Sequence, residues 1–123
     1  MVKVLRFFFL CVVLLFSTHV SDHRHTVFAE QKQTLFVKHH VKGNNVFVEC
    51  IVDQFTFTKG KHPKKNGQGR IHVYVNGKKV SEMTTAAFVI RGLPAGKHSI
   101  RLELVHNDAS RYHISHEFTV TIS

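Results

Sequence analysis

The chain has 123 residues and carries 17 lysines and arginines against 8 acids, a formal charge of +9 with histidine neutral. Two cysteines allow at most one disulfide, which excludes a disulfide-stapled scaffold, and the absence of tryptophan excludes the Cys-Trp-Cys core of antibody domains. The length suits one small domain.

Lys3 and Arg6 precede an unbroken apolar run from Phe7 to Phe16. A helix needs ~20 apolar residues to span a bilayer, and this run is too short. A positive start before a short apolar core describes a secretory signal peptide over residues 1–29, with Val27-Phe28-Ala29 as the small-residue cleavage pattern. The alternative is an uncleaved segment, the only part of the chain that would then contact a membrane. Cys11 lies inside the run with no small residues just before it, which speaks against a lipoprotein anchor. The expected location is therefore secreted or extracytoplasmic, in the cell envelope.

The mature domain, residues 30–123, carries 14 lysines and arginines and 7 acids. A domain of this size buries roughly 60–65% of its unfolded surface. Only Cys50 remains in it, so the core must hold the fold. Cys50 shares the phase of Val46, Val48 and Val52 and reads as a small buried core residue.

Thr34 to Val41 is the first predicted strand and ends at Lys42-Gly43-Asn44-Asn45. Val46 to Val52 is the second. The apolar phase then shifts, since Phe55 and Phe57 are odd-numbered, and a bulge at Asp53-Gln54 would reconcile the halves. Arg70 to Val75 and Lys78 to Met83 form a hairpin about Asn76-Gly77, whose residues both take positive φ in the favoured two-residue turn. Ala87 to Arg91 is a short strand before Gly92-Leu93-Pro94-Ala95-Gly96. His98 to Val105, a turn at Asn107 to Ser110, and Tyr112 to Ile122 complete the chain. Alternation places Ile71, Val73, Val75, Ile100 and Leu102 inward, and His72 and Tyr74 on the exposed face. About seven short strands at this spacing, with no helical period, predict an all-β fold, an immunoglobulin-like antiparallel β-sandwich.

A positive exported domain is drawn to anionic surfaces. The densest cationic run is Lys59-Gly60-Lys61-His62-Pro63-Lys64-Lys65-Asn66-Gly67, which has no apolar period and reads as an exposed loop. Lys59, Lys61, Lys64 and Lys65 are the candidate contacts to an anionic cell-envelope polymer. Nucleic acid is not an expected partner, because no recognisable binding module is present.

Ile71-His72-Val73-Tyr74-Val75-Asn76-Gly77-Lys78, followed by Gly92-Leu93-Pro94-Ala95-Gly96-Lys97-His98-Ser99-Ile100-Arg101-Leu102-Glu103-Leu104-Val105-His106-Asn107-Asp108, resembles a family of small exported bacterial immunoglobulin-like domains. The resemblance covers Phe47 to Ile122. It implies further histidines at two places held here by Arg70 and Ala109, so a metal-ligand set of that kind would be incomplete in this chain.

Eight histidines lie in the mature domain. Imidazole is the commonest protein ligand for Cu(II) and Zn. His72 on a solvent-facing phase, and His106, Asp108 and His113 near strand ends, could meet at one pole of a sandwich. These four are the candidate ligands, and Cu(II) or Zn suits their nitrogen and oxygen donors. The plainer reading is a basic surface with scattered histidines and Asn107-Asp108 as turn formers.

No phosphate loop, dinucleotide fingerprint, HExxH or carboxylate pair is present. The expected role is therefore a non-enzymatic binding module. It would bind a transition metal weakly, adhere to anionic envelope polymers, or dock a partner strand on an exposed sheet edge.

Overall fold

The alternating segments do form strands: the computed structural model, which describes residues 33–123, is all β, with no helix among the described residues. The signal-peptide reading of residues 1–29, and the cleavage site that goes with it, fall outside the described residues. Eight strands stand where about seven were expected. They are β1 (Leu35–Lys42), β2 (Asn45–Val52), β3 (Thr56–Phe57), β4 (Gln68–Val75), β5 (Lys78–Met83), β6 (Ala87–Ile90), β7 (Gly96–Val105) and β8 (Arg111–Ile122).

They make two sheets of an immunoglobulin-like sandwich. One is three-stranded in the order β1-β2-β6. In the other, β4 lies between β5 and β7, with β8 beyond β7 and the two-residue β3 parallel to the start of β4. All other pairings are antiparallel. Asn76 and Gly77 turn at φ 52° and 83°, the positive pair that joins a right-twisted hairpin.

The phase shift after Val52 is not a bulge. Asp53 and Gln54 form a turn, with Gln54 at φ 49°, and the chain leaves the first sheet there. It joins the second sheet at β3, so Phe55 and Phe57 obey a different sheet's phase from Val48 and Val52. Switching sheets resets which parity faces the core.

The core fills the space between the sheets. Val46, Val48, Cys50, Phe88 and Ile90 face Ile71, Val73, Ile100, Leu102, Leu104 and Val120. Burying each such aliphatic side chain contributes roughly 1.5–3 kcal/mol. Cys50 is a core residue here, as its phase implies. Burial first, then the charge on Glu49, pushes its thiol up to about 12, which leaves it unreactive as a nucleophile.

His98 is also a core residue. Its Nε2 lies 2.7 Å from the Pro94 carbonyl and therefore donates, so Nδ1 accepts from Asn76 Nδ2 at 3.0 Å. Asn76 Oδ1 in turn accepts from the Ser99 N–H at 3.0 Å. One buried imidazole thus ties the Asn76-Gly77 turn to the Pro94 loop.

Candidate functional site

The polar groups gather in two places, the outer face of the larger sheet and the end of the sandwich where β7 turns into β8. On the outer face, antiparallel register sets His72 beside Glu82 on one side and Glu103 on the other. His72 is not exposed, contrary to the strand-phase reading; it is 7% accessible. Long charged neighbours cover it. Arg70 Nη1 donates to Glu82 Oε1 at 2.8 Å, and the His72 Nε2 lies 3.2 Å from Glu82 Oε2. Glu103 is buried and receives Arg111 Nε at 2.9 Å and Nη2 at 2.7 Å, with Arg101 Nη1 at 3.6 Å. Tyr74, also assigned to the exposed phase, is half-buried because the Arg101 guanidinium lies 3.9 Å over its ring. Alternation gives the side of a sheet correctly, but it cannot say that charged stems fold over that side.

At the end of the sandwich, residues 102–107 are buried in succession, so alternation stops. Leu102 and Leu104 face the core, Glu103 lies under Arg101 and Arg111, and at Asn107 the loop from Thr58 to Gly67 is bound by its backbone. Asn107 is its anchor. The Asn107 Nδ2 donates to the Pro63 carbonyl at 2.8 Å and to Gln68 Oε1 at 3.0 Å, while its Oδ1 accepts from Thr58 Oγ1. Arg70 Nη2 donates to the Gly60 carbonyl at 2.6 Å, and His62 Nε2 donates to the Lys59 carbonyl at 2.8 Å. The Tyr112 hydroxyl donates to the Gln68 carbonyl at 2.7 Å and accepts from the Gly67 N–H at 3.1 Å. Lys59, Lys61, Lys64 and Lys65 project from this frame and are all exposed. Among the described residues, none of the four is in an ion pair.

The four candidate metal ligands are not assembled into one site. His72 lies on the outer sheet face beside Glu82. His106 is buried under Tyr112, with ring centroids 3.6 Å apart and 19° between planes. Asp108 is exposed and folds back to accept from the Ser110 N–H at 3.0 Å, as a turn former does. His113 is exposed at φ 61° in β8, where three residues of β8 stand opposite Leu104 alone. Among the described residues, no three histidine, cysteine or acidic side chains converge on a metal position. His72 is paired within the larger sheet, not at its end, while His106, Asp108 and His113 lie about the β7–β8 turn.

Sequence reasoning also missed Asn107, the residue that holds the basic loop. The signal was present as Asn107-Asp108, but a turn and a buried clamp look alike at that level. The smaller sheet's outer face carries an open groove of about 450 Å³ lined in part by Lys38, His40, Phe47, Glu49 and Val89.

The buried imidazoles of His72 and His106 make stability depend on pH. Burial, and then the Lys79 charge, hold His72 below the usual histidine value against the pull of Glu82 and Glu103. Burial, and then Lys64, hold His106 down in the same way. Each pKa is lower folded than unfolded, so the unfolded chain takes up protons first as pH falls. Their contribution is complete above about pH 6.5 and is lost below it. Glu82 is held below the carboxylate range, first by the Arg70 hydrogen bond, and Asp108, first by Ser110. Their contribution is present above about pH 4.5 and is lost in acid, the same direction. Thermal unfolding followed by circular dichroism should therefore show Tm level above about pH 7 and falling below about pH 6.5. A Tm that rises on acidification through that range would contradict the buried, neutral state of both rings.

No family model and no curated protein matches the sequence. Among solved structures the chain is similar to the PKD1 domain of the Vibrio cholerae metalloprotease PrtV. Identity is 13% and the TM-score 0.49, covering 76% of this chain and 99% of that one.

Proposed function

We propose that the chain is an exported, non-enzymatic binding module that adheres to anionic cell-envelope polymers through Lys59, Lys61, Lys64 and Lys65. One observation carries this reading. The loop backbone is clamped at Gly60, Pro63 and Gly67, while its four ammonium groups stay in solvent and unpaired among the described residues. A loop that serves only solubility needs no such frame. A framed loop meets a polyanion without the cost of ordering its backbone on binding. Its contacts are to charge and not to shape, which suits a repetitive polymer better than a defined small ligand.

Exposed charges are screened within ~10 Å at 0.1 M salt. Retention of the secreted protein on an immobilised anionic polymer should therefore fall steeply as salt rises. Replacing Lys61, Lys64 and Lys65 with glutamine should reproduce much of that fall at low salt while leaving Tm nearly unchanged, because exposed surface substitutions usually stay within ±0.5 kcal/mol. Retention that ignores salt, or that survives the triple substitution, would sink the electrostatic reading.

A further inference from the structure

We propose that the outer face of the β1-β2-β6 sheet is a two-fold self-association surface, closed by a second copy of this chain. Antiparallel register lays that face out in rows. Phe36 stands opposite Ile51; Lys38 opposite Glu49 and then Ala87; His40 opposite Phe47 and then Val89. Phe36 is 58% accessible and Ile51 43%. The His40 ring lies parallel to Phe47, with centroids 4.9 Å apart. Apolar rows thus flank one charged row, and an open groove runs among them.

The charge on this face sets it apart from the rest of the chain. The protein carries +9 overall, yet the middle of this face presents one cation, Lys38, beside one anion, Glu49, with a second lysine, Lys42, opposite Asn45 at the end of β1. Neither Lys38 nor Glu49 is in an ion pair among the described residues. A strongly cationic chain would meet an anionic partner elsewhere; a face whose central row sets one charge of each sign side by side is complementary to itself there, and the same pairing lays Lys42 over the neutral Asn45. A two-fold axis parallel to the strands, between β1 and β2, puts Lys38 of one copy over Glu49 of the other. The same axis puts Phe36 over Ile51 and His40 over Phe47. An isologous contact requires this kind of pairing, in which residue i meets j and j meets i. The arrangement is an aligned packing of two sheets ~10 Å apart, the ordinary geometry for sheet faces.

Strand spacing and rise bound the contact. Three strands about 4.8 Å apart and eight residues at about 3.3 Å give a face of roughly 10 by 25 Å. That is well below the ~800 Å² per partner of a standard stable interface, so the dimer is weak and depends on concentration.

The test is sedimentation equilibrium on the purified secreted protein from micromolar to low millimolar concentration, at moderate salt and with no anionic polymer present. The expected result is a reversible monomer–dimer equilibrium. Phe36→Ala should weaken it by about tenfold, as truncation of an aromatic side chain buried in a contact does. Lys38→Glu and Glu49→Lys should each weaken it by roughly fivefold. The double swap should restore it to within about twofold of the parent, because the two-fold pairs each swapped residue with the other. Thermal melts of these exposed variants check that each remains folded. A protein that stays monomeric throughout overturns the proposal, as does a double swap no better than either single change. Failure of the polyanion reading would show instead in the retention assay and would leave this equilibrium untouched.

Discussion

Leu102→Ala should cost about 2–5 kcal/mol of unfolding free energy, whereas Arg101→Ala, the next residue along β7, should cost less than about 1 kcal/mol. Leu102 has no accessible surface and stands opposite Val73 on β4, between the two sheets. Truncation removes buried methyl groups and leaves a cavity that a sandwich pinned on both sides fills poorly. Arg101 points the other way. It stacks over Tyr74 at 3.9 Å and reaches Glu103 only at 3.6 Å, so its loss leaves Glu103 with the two shorter contacts from Arg111. Partly exposed ion pairs of this kind contribute little. Urea unfolding of both variants with a shared m-value is the measurement. Equal losses would mean that the inward and outward phases of β7 have been exchanged.

That phase is what the sequence states most directly. Ile71-His72-Val73-Tyr74-Val75 and Ile100-Arg101-Leu102-Glu103-Leu104 alternate with period two, and each turn between strands carries its own glycine, asparagine or proline chemistry. Local signals of this kind are written in neighbouring residues, so strand bounds, hairpins and the buried position of Cys50 were all legible. What was not legible depends on residues far apart in the chain. Asp53-Gln54 could not be told from a bulge, because the difference lies in which sheet the next strand joins. His72 could not be seen as buried, because Arg70, Glu82 and Glu103 cover it from three strands. The basic loop was legible as a cluster of lysines. Its frame was not, since Asn107 reaches Pro63 across 44 residues of sequence. The proposed metal set shows the same limit from the other side: spacing suggested a shared pole, and the register placed the four groups in unrelated surroundings.

Gly69→Ala should be at least as damaging as the costliest single truncations in the core. Gly69 sits in β4 at φ +155°, where its α-carbon presses on β7. A β-carbon there would lie 1.8 Å from the Val105 carbonyl oxygen, 2.9 Å from the carbonyl carbon and 3.2 Å from the His106 α-carbon. All three are backbone atoms, so no rotamer change relieves the overlap. Val105 cannot retreat easily, because it is paired with Arg70 on one side and Arg111 on the other. The start of β4 must therefore move off β7. Around that point Gln68 binds Tyr112 and Asn107, and the Gly69 carbonyl accepts the Thr58 N–H at 2.9 Å. Displacing β4 would strain these bonds and with them the frame of the lysine loop. A loss above about 4 kcal/mol is the expected scale for a backbone collision of this kind, against a total stability of about 5–15 kcal/mol for a small domain. The variant should be recovered poorly, and what is recovered should melt far below the parent and bind anionic polymer less well. Gly43→Ala is the control: its φ is +62°, yet nothing lies within 4 Å of the added carbon. It should lose only about 1 kcal/mol, the conformational penalty alone. A Gly69→Ala protein that melts with the Gly43→Ala protein would show that β4 and β7 do not approach as closely as the register places them.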